Sequence, residues 1–197
     1  MIAIVDYGAG NLKSVQHALE FLKVESVITD SPDAILKAGR LILPGDGSFG
    51  YMMENLKKKK LIEPIKAFLM ESMRGGRPFL GICLGLQGLF EKSEESPGIG
   101  GLSIFKGSVK KFRDGKVPQI GWNRIVPQKK GIFKEEYMYF VNSYAVAPKD
   151  PSIVATETDY FGTFVSSVQF KNLTAMQFHP EKSGKAGIEL LKRWLAC

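Results

Sequence analysis

Gly81-Ile82-Cys83-Leu84-Gly85 follows the apolar run Pro78-Phe79-Leu80, and Phe178-His179-Pro180-Glu181 closes another apolar run far downstream. A thiol between two glycines at a strand end, with a histidine followed two residues later by a carboxylate, supplies the three parts of a Cys/His/Glu nucleophilic centre. The chain has two cysteines, Cys83 and Cys197, and two histidines, His17 and His179. His17 falls on a predicted helix and reads as a surface residue. His179 is the one credible base.

The Gly-x-Cys-x-Gly pattern, between a predicted strand and a predicted helix, has the layout of a nucleophile elbow. In such a turn a neighbouring Cβ would crowd both the backbone and an incoming substrate. The turn also sets Cys83 at the amino end of a helix, whose dipole and free N–H groups favour the attacking thiolate. A buried cysteine acting as a small hydrophobe is the competing reading, but it gives the two glycines no purpose. Pro180 keeps His179 extended, and residues two apart in an extended segment project to one side. Glu181 can then reach the imidazole and fix its tautomer. An oxyanion needs N–H donors, which Leu84 and the turn Pro44-Gly45-Asp46-Gly47 can provide. An ordinary glycine-rich turn is the alternative reading of the latter.

Hydrophobic periodicity supplies the elements that must hold these groups. Residues 2–6 read as a buried strand and 11–23 as an amphipathic helix, with Leu12, Val15, Leu19 and Leu22 at helical spacing. Strands follow at 24–29, 40–43 and 77–82, with a short helix opened by Ser31-Pro32-Asp33, a long one over 52–74 and another over 84–91. This alternation predicts a mainly parallel sheet flanked by helices, an α/β fold. Between Gly98 and Phe170 the pattern changes to short β-rich runs at 108–112, 119–125, 137–141, 153–157 and 162–170, which predict an antiparallel extension. A strand at 173–178 and a helix at 184–195 close the chain. Residues 1–197 are expected to form a single domain.

The net charge of +7 raises nucleic acid as a partner. The run Lys57-Lys58-Lys59-Lys60 lies in a helical pattern without interleaved aromatics and reads as a solvated face, so no nucleic-acid role is expected. Gly8-Ala9-Gly10 follows the first strand, but Lys13 stands where a dinucleotide fingerprint needs its third glycine. No metal-ligand spacing is present, and no cofactor is expected. No apolar run is long enough to span a bilayer, and two cysteines build no disulfide framework. The expected location is cytoplasmic, away from any membrane.

Gly81-Ile82-Cys83-Leu84-Gly85-Leu86-Gln87 together with Phe178-His179-Pro180-Glu181 resembles the class I (triad) glutamine amidotransferases. Asp6-Tyr7-Gly8-Ala9-Gly10-Asn11-Leu12, Leu43-Pro44-Gly45, Ser93-Glu94-Glu95, Gly121-Trp122-Asn123 and Tyr139-Phe140-Val141 narrow the resemblance. They occur in the order of one subfamily, the glutaminase subunits of imidazole glycerol phosphate synthase in histidine biosynthesis. The resemblance implies that Cys83, His179 and Glu181 hydrolyse L-glutamine through a γ-glutamyl thioester. It implies that Gln87 and Glu95 bind substrate, with backbone at Gly45, Leu84, Ser143 and Tyr144 holding the remaining polar atoms. It implies oxyanion donors from Gly45, Asp46 and Leu84. Ammonia would pass to a (βα)₈-barrel synthase subunit in a heterodimer, and Asn11, Trp122, Tyr139 and Lys182 match positions facing that partner. The partner's products would be imidazole glycerol phosphate and an aminoimidazole carboxamide ribotide.

Three residues depart from the family pattern. Asn142 and Gln119 replace histidines, and Asp46 replaces a valine in the oxyanion segment, where a carboxylate would disfavour the oxyanion. The first two keep open a glutaminase that feeds another synthase, such as a sugar-amination enzyme. A Cys/His hydrolase of similar fold is opposed by Gln87 and Glu95. A non-catalytic binding module would have no reason to keep Cys83, His179 and Glu181 together.

Overall fold

Along β1 (Ile2–Val5) the side chains alternate between two buried clusters, Ala3 and Val5 on one side and Ile2 and Ile4 on the other. A strand apolar on both faces must be covered on both faces. The helices α1 (Leu12–Phe21) and α6 (Gly184–Leu195) cover the Ile2 and Ile4 side with Leu12, Val15, Leu19, Leu190, Leu191 and Trp194. On the opposite side lie α2 (Pro32–Lys37), α3 (Phe49–Lys58) and α4 (Ile62–Met73), which contribute Ile35, Phe49, Met52, Leu56, Ile65 and Phe68. The computed structural model describes residues 1–8 and 11–197. Ala9 and Gly10, of the Gly8-Ala9-Gly10 run, lie outside the described residues.

With β2 (Ser26–Thr29), β3 (Arg40–Leu43), β4 (Phe79–Ile82) and β12 (Leu173–Met176), β1 forms a parallel core in the order β2-β1-β3-β4-β12. The short β5 (Lys92–Ser93) and β6 (Gly107–Lys111) pair in parallel. The antiparallel part comprises β7 (Gln119–Pro127), β8 (Glu136–Asn142), β9 (Tyr144–Pro148), β10 (Val154–Asp159) and β11 (Thr163–Phe170). It joins the core where β11 pairs antiparallel with β12. The chain is thus an α/β fold with a mixed sheet, mainly parallel in its helix-covered core, as the alternation and the later β-rich runs predict.

Local differences from the sequence reading have physical causes. The long helix expected over 52–74 is two helices, because Lys60 adopts φ 58° and the N–H groups of Lys60 and Leu61 turn back to Lys57 O and Leu56 O at 3.0 and 2.8 Å. The lysine run therefore sits at a helix carboxyl end, where cations meet the negative pole of the dipole. No glycine marks the left-handed residue. The helix expected over 84–91 is the single turn α5 (Leu84–Gln87). Beyond it the bonds tighten, Leu89 and Phe90 donating three residues back, and Gly88 O accepts from Leu102 N–H at 2.7 Å instead of continuing a helix. β9 was not expected, because its consecutive buried pair Ala145 and Val146 breaks the alternation of a half-buried strand. Among the described residues no helix is long and apolar enough to cross a membrane.

Trp194 anchors α6, 1% exposed, and its indole N–H is buried without a partner. Replacing it by Ala removes a large apolar surface and should cost about 3–5 kcal/mol. Trp194→Phe removes less volume and also deletes an unsatisfied donor, an offsetting gain, and should cost less than Trp194→Ala. Denaturant unfolding of the two variants checks the contrast.

Candidate active site

The carboxyl ends of β3, β4 and β12 lie side by side, so the residues that follow them reach a common crevice, the usual place for ligands in an open α/β sheet. Gly45 after β3, Cys83 after β4 and His179 after β12 line one cavity of about 260 Å³. The same cavity is lined by Asp46, Leu84, Gln87, Glu95, Asn142, Ser143, Tyr144 and Lys182.

Cys83 sits at φ 55°, ψ −109°, a conformation that costs a non-glycine residue of order 1–3 kcal/mol and persists only where the surroundings enforce it. The enforcement is close packing. A Cβ on Gly85 would lie 1.9 Å from the carbonyl oxygen of Leu43 at the end of β3. One on Gly81 would lie 2.7 Å from Gly85 O and 2.9 Å from the Ala175 Cβ of β12. Crowding of the turn, one of the two reasons offered from sequence, is met at Gly81 against Gly85 O, and the adjoining strands β3 and β12 add to it; none of the nearest atoms bears on space for substrate. With α5 only one turn long, its macrodipole is small, and the helix-dipole support expected for Cys83 reduces to local N–H groups.

His179 is 5% exposed and extended at φ −104°, ψ 97°, as Pro180 requires. Its Nδ1 lies 2.8 Å from Glu181 Oε1. Glu181 reaches it from a 3₁₀ turn, Pro180–Lys182, rather than by strand alternation, which corrects the geometry read from the spacing. That turn is tied to β8: His179 N–H donates to Tyr139 O at 2.9 Å, and Ser183 Oγ accepts from Tyr139 N–H at 2.9 Å. Burial alone would push the imidazole pKa down. Hydrogen bonds to Cys83 and to Glu181, and the negative charge each can carry, outweigh it and raise the imidazole to about 10. An imidazole so placed carries its proton through neutral pH.

Gly45 abuts the elbow, where a Cβ would lie 2.6 Å from Leu84 N and 2.3 Å from Leu84 Cβ. Asp46 N–H donates to the Tyr7 hydroxyl at 3.3 Å, so this expected oxyanion donor is already engaged. Burial pushes the Tyr7 phenol upward, keeping it a neutral hydroxyl. The exposed Asp46 carboxylate accepts from Gly47 N–H at 2.9 Å in its own turn.

Glu95 Oε2 accepts from Phe49 N–H at the start of α3, 2.7 Å away, which fixes the carboxylate at the cavity wall. Gln87 is 3% exposed and its Oε1 is buried without a partner. Ser143 O accepts from Phe112 N–H at 3.0 Å. Asn142 and Gln119 are cross-strand partners in the β7–β8 ladder; Asn142 Nδ2 donates to Tyr144 O at 3.1 Å, while Asn142 Oδ1 and Gln119 Oε1 are buried unpaired.

Of the residues matched to a partner-facing surface, Trp122 is 55% exposed and packs edge-on to Tyr139 with ring centroids 6.1 Å apart. Lys182 is exposed at the cavity rim. Asn11 is only half-buried and its Nδ2 donates to Glu181 Oε1 at 2.6 Å, so it touches the carboxylate beside His179. The sequence reading missed Gln177, fully buried next to Cys83. The available signal was a lone long polar residue in the apolar run before His179. Tyr7 was missed as the Asp46 partner, and nothing in its spacing announces that contact. Among the described residues no group of three or more His, Cys, Asp or Glu could hold a metal ion.

The site and fold define a class. A model of the class-I glutamine amidotransferases matches residues 3–196, and the chain belongs to that family. It is similar to the imidazole glycerol phosphate synthase subunit HisH of Pyrococcus furiosus, 48% identical over 199 residues that cover 98% of this chain and 97% of that one. It is likewise similar to the proteins of that name from Methanocaldococcus jannaschii (45% identity, covering 99% of this chain and 98% of that one) and Aquifex aeolicus (44% identity, covering 97% and 94%). Among solved structures, a glutamine amidotransferase superposes with TM-score 0.78 at 16% identity, covering 100% of this chain and 98% of that one. At that identity the likeness speaks for the fold alone.

Removing a bond that raises the imidazole should lower its pKa. Cys83→Ala and Glu181→Gln should each bring His179 down from about 10, the first more than the second, in an NMR titration of the imidazole. The sign for stability follows: the gain from the charged imidazole is complete below the unfolded value near 6.5 and is lost as pH rises through about 10. Thermal unfolding of wild type against His179→Gln, followed from pH 6 to 10, should show the difference shrinking with about that span.

Proposed function

We propose that this chain is the glutaminase subunit of imidazole glycerol phosphate synthase, acting as one amidotransferase domain over its whole length. The observation that carries the chemistry is the pairing of His179 Nδ1 with Glu181 Oε1 at 2.8 Å in the cavity that holds Cys83. The names of relatives matched over nearly the full length support the choice of synthase.

In this reading the Cys83 sulfur attacks the carboxamide carbon of L-glutamine, forming the S–C bond. Leu84 N–H and the Gly45 segment face the oxygen as it becomes negative. The imidazolium of His179 gives its proton to the amide nitrogen, the C–N bond breaks and ammonia leaves. Water then attacks the γ-glutamyl thioester, His179 takes its proton, and glutamate departs as the thiolate re-forms. Glu181 holds the ring throughout. Glu95, held at the cavity wall, suits the donors of the substrate α-ammonium.

Ammonia then passes to a (βα)₈-barrel synthase subunit that closes over the cavity. The β7–β8 ladder supports this docking: Ile120, Trp122, Tyr137 and Val141 are exposed there, and Val141 also lines the cavity. Exposed apolar side chains gathered beside a cavity mark a surface that a partner covers. A reducing compartment, the cytoplasm, suits a mechanism that needs Cys83 as a free thiol.

Cys83→Ala should cut glutamine hydrolysis by roughly four to six orders of magnitude. A glutamine-analogue electrophile should label Cys83 and be blocked by glutamine. Glutamate release should rise by orders of magnitude when the barrel subunit and its ribotide substrate are added. Trp122→Ala should weaken that activation while leaving the unpartnered rate unchanged. Equal rates with and without the barrel would overturn the assignment of the synthase.

A further inference from the structure

We propose that Gln177 is a positioning residue that aims the Cys83 sulfur and supplies an N–H to it as negative charge gathers there; this rests on the glutaminase reading. Gln177 is fully buried, and its backbone is pinned by a 2.8 Å hydrogen bond from its N–H to Ser166 O on β11. Its Nε2 donates to Cys83 Sγ at 3.5 Å, and its Oε1 accepts from Gln87 Nε2 at 3.0 Å.

The direction of this relay is set outside it. Gln87 Nε2 also reaches the carbonyl oxygen of Tyr144 at 3.5 Å, and a carbonyl accepts only from a donor. Gln87 must therefore present its NH₂ to both Tyr144 and Gln177, which leaves Gln177 its oxygen towards Gln87 and its NH₂ towards the sulfur. Chained amides strengthen one another's donation, so the bond from Gln87 Nε2 to Gln177 Oε1 strengthens the Gln177 N–H at sulfur. A bland role, two buried amides satisfying each other, leaves the contact with sulfur without effect.

The test uses Gln177→Leu and Gln177→Glu in the assembled synthase. The first deletes the donor, and the second keeps the shape but turns an acceptor towards sulfur. We expect kcat to fall by roughly tenfold or more in both, further in Gln177→Glu, with KM changed by less than about threefold. Alkylation of Cys83 by iodoacetamide at fixed pH should slow in the same order. Unchanged kcat and alkylation, or a raised KM with kcat intact, overturns the proposal by confining Gln177 to holding Gln87. A wild-type measurement covers variants that fail to fold: the Gln177 side-chain NH₂ resonances should shift when Cys83 is alkylated, and no shift overturns the proposal. Alkylation needs no glutamine turnover. Slower alkylation of the variants in a protein whose wild type fails to hydrolyse glutamine would therefore sink the glutaminase reading and keep this one.

Discussion

The elbow at Cys83 and the end of β3 touch with no room for a methyl group between them. Gly85 lies against Leu43 O and Gly45 lies against Leu84, so the nucleophile and the segment beside it are fixed by backbone packing. Close-packed interiors transmit such constraints without slack. Because β4 is held between β3 and β12, the contact also fixes the distance from Cys83 to the chain leaving β12, where His179 begins. Strain at Cys83 is tolerated because the parallel core over-determines it. The two apolar clusters on either side of the sheet provide that rigidity.

Near the rigid elbow, Gln87 Oε1, Asn142 Oδ1 and Glu181 Oε2 are buried acceptors with no protein partner. Polar sites discriminate by matching a ligand's donors and acceptors with their own. Glutamine carries an ammonium and a carboxamide, and its leaving group is ammonia.

That Cys83, His179 and Glu181 come together was legible because their signals are local: flanking glycines, a following proline, a spacing of two. The parallel core was legible for the same reason, since each strand and helix carries its own period. What stayed hidden depends on pairs distant in sequence or on residues outside their usual conformations. Lys60 breaks a helix in a left-handed geometry that favours glycine. Asn11 precedes α1 as a helix cap should, yet its side chain makes no cap and bonds Glu181 instead. Tyr7 meets Asp46 only because β1 and β3 are neighbours. Gln177 meets Cys83 across 94 positions of sequence, only because β4 and β12 are neighbours.

The strand β8 joins the outer surface to the chemistry. Its neighbour across the ladder carries the exposed Trp122, its own Tyr139 packs against that ring, and both backbone atoms of Tyr139 are bonded to the turn that bears His179. Asn11 makes a second link, from the start of α1 to the carboxylate that steadies the imidazole. Tyr139 therefore links the β7–β8 face to the turn that bears His179 through two hydrogen bonds of 2.9 Å. Cys83 is set by strands buried on both faces, and His179 follows β12 of that same core while its turn is also tied to β8 of the antiparallel extension.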